Sequence, residues 1–218
     1  MPNHVTNVIT AERNVIQACL NESGDFDFSN IIPKPESLYD KQVDSSLIDR
    51  AKLALGLLRE PYSNPRDLTE VTSNMEFSNC LRLATSELTE KEKADILVKI
   101  IQSYMNTGSL YWYDWNNHNW GTKWNCYSVE DRGGSYKFET AWSCPIKVFS
   151  ALSKKFPNEK IIVNYADEDW GNNCGIIHFL DGEAIDEKDF SGTKEGIEFA
   201  LKLIYREEWK EKMKEFEL

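Results

Sequence analysis

The chain has 218 residues and a net charge of −11, from 36 acidic and 25 basic side chains, with 41% hydrophobic and 28% charged residues. A chain of this length buries roughly 70% of its unfolded surface and fits one large domain or two small ones. The acidic balance argues against nucleic-acid binding, which relies on Lys and Arg neutralising phosphates, and no apolar run approaches the roughly 18 residues that a membrane span needs.

His4 to Thr10 (HVTNVIT) is rich in β-branched residues and reads as a strand. The opening MPNHVTNVIT lacks a basic region followed by an apolar one, so it reads as having no signal peptide. Ala11 to Leu20 follows as a short helix with Thr10 as cap, and Phe26 to Ile32 (FDFSNII) alternates as a second strand before Pro33 and Pro35. From about Glu36 to Leu110 the period becomes helical. Ser45-Ser46 caps a helix with Leu47, Ile48, Ala51, Ala54, Leu55 and Leu58 on one face. PYSNPRD is a loop, Phe77 to Ala84 a further helical piece, and Thr89 caps a helix whose acids Glu90 and Glu92 suit its positive end.

Strand character returns at Trp124 to Val129, turns at Gly133-Gly134 and continues over Tyr136 to Trp142 as a hairpin. Pro145 opens the next helix, capped by Ser143 or Cys144, with Ile146, Phe149, Leu152 and Phe156 inward. Lys160 to Tyr165 and Gly175 to Leu180 are two more strands around the acidic loop ADEDWGNNC. A long helix from Lys194 to about Phe216 ends the sequence, its apolar residues three or four apart. The sum is an α+β protein of one domain, residues 1–218. Its antiparallel sheet is of ferredoxin-like (split βαβ) type with helices on one face, plus a helical insertion at about 36–110 and a C-terminal helix at about 194–217.

Four stretches carry a family resemblance: MPNHVTN at the start, NIIPKPE at 30–36, YDWNNHNWGTKWN at 113–125 and FETAWSCP at 138–145. In this order they resemble the YubB-like family of bacterial plasmids, genomic islands and phages, from the first residue to about Leu180. The resemblance implies a ferredoxin-like domain and a mobile-element origin, with no reaction attached.

The segment YWYDWNNHNWGTKWNCY holds four of the seven tryptophans. Trp112, Trp115, Trp120, Trp124 and Trp142 converge, on this reading, at one end of the sheet. Their structural role is a packed aromatic lock, with asparagines serving the indole N–H groups. The functional alternative is a concave ligand surface of Trp120, Trp124 and Trp142 with Lys123 and Asn125 as polar contacts, taking a small molecule or nucleotide derivative. The strand signature of RNA-recognition modules is absent. Five cysteines, Cys19, Cys80, Cys126, Cys144 and Cys174, lack CxxC spacing and read as reduced thiols. No histidine stands in a ligand spacing, Asp167, Glu168, Asp169, Asn172 and Asn173 lack the calcium-loop pattern, and no catalytic motif occurs. The expectation is a non-enzymatic cytoplasmic protein of the bacterial host cell, without metal or cofactor. It would act by protein–protein contact, with no membrane and no nucleic acid involved. The partner expected is a host or phage protein with a basic surface, such as a defence or nucleic-acid enzyme that this chain inhibits. Candidate contacts are Asp167, Glu168, Asp169 and Trp170, with Trp209, Met213 and Phe216 offering self-association through the last helix.

Overall fold

The computed structural model describes residues 2–57 and 88–216, with side chains through Lys214. The loop PYSNPRD and the helical piece Phe77 to Ala84 lie outside the described residues, as do Cys80 and the side chain of Phe216. The chain divides into two compact units: residues 35–115, and residues 1–34 with 116–218. The sequence placed the inserted helices at about 36–110 within one domain.

Within 35–115, α2 (Ser45–Ala54) packs on α3 (Glu90–Thr107) around Leu47, Ile48, Ala51, Ile100 and Leu110. Thr89 caps α3 as expected, Glu92 reaches back to make the cap reciprocal, and Gly108, at φ 74°, closes α3 in the left-handed conformation. The cap of α2 is Asp44, one residue before the expected Ser45; its carboxylate accepts from the Ser46 N–H. The next helix, α4 (Trp112–Asn119), contains the boundary between the units.

The other unit is built on a six-stranded sheet, every neighbouring pair antiparallel: β1 (His4–Thr10), β2 (Tyr127–Asp131), β3 (Ser135–Ala141), β4 (Ile161–Asp167), β5 (Cys174–Leu180) and β6 (Glu183–Asp189). The order is β2-β3-β1-β4-β5-β6. Since β1 and β2 are each antiparallel to β3, they are mutually parallel with β3 between them. Likewise β3 and β4 are parallel around β1, joined by α5 (Ile146–Lys155). These two split βαβ units make β1 to β4 a ferredoxin-like sheet. The β5–β6 hairpin widens it beyond β4.

This arrangement corrects the second strand. Phe26 to Ile32 is no strand: it makes one bridge, Leu20 to Phe26, and a 3₁₀ turn at Phe28–Asn30. Its backbone is claimed by side chains instead, with Phe28 N–H donating to Asn125 Oδ1 and Ser29 N–H to Asp27 Oδ1. The alternation is real but serves packing, because Phe26 and Phe28 both rest on Phe138, at 4.8 and 5.7 Å between ring centroids. The second strand of the first unit is β2, far along the chain.

Register divides the sheet into two faces. Val5, Ile9, Phe138, Val163, Ile177 and Phe179 share one face. On it α5 sets Phe149 at 6.2 Å from Phe138 and 6.1 Å from Phe179. Each such buried side chain contributes about 1.5–3 kcal/mol. The short α1 (Arg13–Gln17) brings Ile16 beside Tyr136 on the same face. The C-terminal helical stretch covers part of the opposite face. There α6 (Lys194–Tyr205) packs Ala200, Phe199 and Leu203 with Ala166, Cys174 and Phe190. A 3₁₀ turn at Arg206–Glu208, with Arg206 at φ 52°, steps the helix before α7 (Trp209–Phe216). No helix among the described residues is long and apolar enough to cross a membrane.

Candidate functional site

The aromatic segment is sorted by depth, and its core is set by the turn after α4. Gly121 adopts φ 79° there, a left-handed exit from a helix that glycine takes without steric cost. The turn is tied to the end of β3: Asn116 Nδ2 donates to Lys123 O at 2.7 Å, and Thr122 Oγ1 to Ala141 O at 2.8 Å. Trp120 points inward and is 1% exposed. Its indole N–H donates to Ile32 O at 3.0 Å, and its ring meets Phe28 edge-on at 5.7 Å. Asn125 is a bracket for the 25–28 loop; Oδ1 accepts from Phe28 N–H and Cys126 N–H while Nδ2 donates to Asp27 Oδ1. Of the five expected ligand contacts, Trp120 and Asn125 therefore hold the fold together.

The other three form a surface. Trp124 and Trp142 remain 37% and 43% exposed. The Lys123 ammonium lies over both indoles, 4.6 Å from the Trp124 ring and 4.9 Å from that of Trp142. At exposed sites such cation–π contacts are worth about 0.5–1 kcal/mol each. Trp142 reaches this place with φ 71°, unusual for a bulky residue. Its backbone is fixed from two sides, N–H donating to Asn3 O at 2.9 Å and O accepting from Asn173 Nδ2 at 3.1 Å.

Behind Trp124 stands Tyr127, 6.3 Å away ring to ring, and its hydroxyl lies 2.7 Å from His4 Nδ1. Burial, reinforced by the Glu139 and Glu168 carboxylates, pushes the Tyr127 phenol up to about 12. The His4–Tyr127 pair was not singled out in the sequence; only the strand register brings residues 123 apart into contact.

The acidic loop is tied to the start of the chain and to its own asparagines. Asp167, 5% exposed, accepts from Asn3 Nδ2, Asn173 Nδ2 and the Asp169 N–H. Glu168 Oε1 accepts from His4 N–H at 3.0 Å, and Asp169 Oδ2 from Asn172 Nδ2 at 3.0 Å. Trp170 turns onto α6, edge-on to Tyr205 at 5.7 Å. Trp209 is half-buried under Lys202, whose ammonium is 4.6 Å from its ring, and Met213 is half-buried as well. No group of three or more metal-ligating side chains occurs among the described residues.

A concavity of 480 Å³ lies between α1 and the Gly133-Gly134 turn, lined by Arg13, Ile16, Leu20 and Tyr136 among others.

Burial pushes the thiols of Cys19 and Cys126 up to about 12, and Cys126 also feels Asp27. Their ordinary value is 9.0, so the unfolded chain loses these protons first. The stabilisation is therefore whole below pH 9 and falls as pH rises toward 12, by about 1.4 kcal/mol per pH unit per thiol. Urea midpoints measured from pH 8 to 11 are expected to drop across that window. A Cys126→Ser variant should lose less over the same range.

A comparison with protein families agrees with the ferredoxin-like class of the sheet. Residues 119–217 match the family model described as a ferredoxin-like domain in Api92-like protein. A crystal structure of a protein api92 from Yersinia pseudotuberculosis aligns with 88% of this chain and 99% of its own, at 13% identity and a TM-score of 0.39. No curated protein matches the chain.

Proposed function

We propose that this chain is an accessory protein of a phage or plasmid that acts in the bacterial cytoplasm by binding another protein, not by chemistry on a substrate. The observation that carries this reading is the pair of exposed indoles, Trp124 in the turn before β2 and Trp142 just after β3, in a chain of charge −11. Large aromatics fixed at a surface are what interfaces use as anchors. The charge favours a partner with a basic surface, as a defence or nucleic-acid enzyme has. The mobile-element setting rests on the YubB-like resemblance of the four sequence stretches. The alternative small-molecule site loses its floor where Trp120 turns inward.

Affinity capture from the natural host tests this with wild-type protein and Trp124→Ala. The expected result is a basic partner, released by salt, whose recovery falls at least tenfold with the variant while its melting temperature stays within a few degrees. Equal recovery by both proteins would refute the assignment of the surface.

A further inference from the structure

We infer that Trp124 and Trp142 form a receptor for a single cationic side chain, an arginine or lysine of the partner, and that Lys123 is its resident occupant. The inference rests on the protein-contact reading above and names what that surface recognises.

Three observations converge. First, an ammonium already sits over both rings, at 4.6 and 4.9 Å, so the indoles are spaced to hold a cation. The quadrupole of each indole face attracts positive charge, and two faces acting on one cation add their fields. Second, the neighbourhood carries the complementary sign. The Glu139 and Glu168 carboxylates act on Tyr127, 6.3 Å behind Trp124, with Glu139 also paired to Lys137 at 3.4 Å and Glu168 accepting from the His4 N–H. Third, Trp142 occupies a backbone conformation at φ 71° that glycine would adopt more easily. Such strain persists only where the surroundings impose it, here through Asn3 and Asn173. A ring that served packing alone would be buried; this one is 43% exposed. The strain holds an indole at the surface beside the Lys123 ammonium.

Lys123 then acts as a displaceable placeholder. It occupies the cation position between the two rings in the free protein and leaves when a partner side chain enters. Its removal opens the receptor.

Tetramethylammonium chloride is a suitable probe, titrated at constant ionic strength against sodium chloride and followed by indole fluorescence. Lys123→Ala should bind it saturably and roughly two- to fivefold more tightly than wild type, the competition a resident ammonium offers at an exposed site. Adding Trp124→Ala to that variant should abolish the response. An identical response in wild type and Lys123→Ala, or one that survives loss of Trp124, overturns the inference. A second variant, Trp142→Gly, separates function from packing. It should keep or raise the melting temperature while losing the probe; a fall of several degrees would make the ring structural and the inference wrong. Failure of these titrations leaves partner capture intact if recovery still depends on Trp124, so the two readings fail separately.

Discussion

Trp120→Ala is expected to lower stability by about 3–5 kcal/mol, the cost of emptying a large buried aromatic site. The ring is 1% exposed, meets Phe28 at 5.7 Å and receives the Lys34 ammonium at 4.9 Å from its centre. Its loss also leaves Ile32 O without the indole donor, 3.0 Å away in the native protein. For a chain of this size the deficit corresponds to a fall of roughly 10 °C in melting temperature, measurable by calorimetry. Trp124→Ala, four residues on and 37% exposed in the native chain, should cost about 1 kcal/mol or less, since it removes mainly a surface contact with Lys123. Equal costs for the two variants would contradict the division of the segment into core and surface.

The second large effect concerns Gly196, in the first turn of α6. Replacing a helical glycine with alanine ordinarily stabilises by about 0.5–1 kcal/mol. Here the sign should reverse. A Cβ at this position would stand 2.3 Å from Phe190 O and 3.2 Å from Cys174 Sγ, and the first of these is backbone. Phe190 N–H is itself bonded to Cys174 O, so the obstructing strand end has little room to retreat. Gly196→Ala should therefore destabilise by about 1–3 kcal/mol, as overpacking does, and lift α6 from the sheet. Urea unfolding of the variant measures it; a stabilised protein would show that the approach of α6 to β5 is looser than described.

Much of the fold could be read along the chain. The HVTNVIT strand, the Gly133-Gly134 hairpin and the Thr89 cap each have a local cause, and each forms within a few residues of its expected place. What escaped depends on distant partners. Phe26 to Ile32 alternates as a strand does, yet the place beside β3 goes to Tyr127–Asp131, across the whole inserted segment. The first three residues of the expected strand at Trp124 to Val129 stay outside it because Asn125 is bonded to the Asp27 carboxylate and the Phe28 N–H. Residues 112–119 form a helix although WYDWNNHN is poor in strong helix formers and lacks an apolar stripe. EAIDEKD is wholly exposed and charged at five of its seven positions, so only its pairing with β5 makes it a strand.

The candidate site divides in the same way. Tryptophans near a hairpin pointed to an aromatic cluster, and Lys123 and Trp142 were both named from the sequence. Which rings face water was not legible, because Trp120 and Trp124 differ only in the turn geometry that Gly121 permits. The role of Asn125 was hidden for the same reason: two of its hydrogen bonds reach Asp27 and Phe28, about a hundred positions away.

The two outer strands limit how another molecule can approach. Sheets with bare borders invite an incoming strand to zip on through main-chain amides and carbonyls. On one border β2 breaks register between Tyr127 and Glu130, and Ser128 there has φ 52°. On the other, β6 presents Glu183, Asp186, Glu187 and Asp189 to solvent beside a second irregularity. An extended peptide therefore finds no straight template at either margin. Recognition by this molecule falls to side chains, and a binder selected against it should grip protruding rings and charges, not stitch itself onto the sheet.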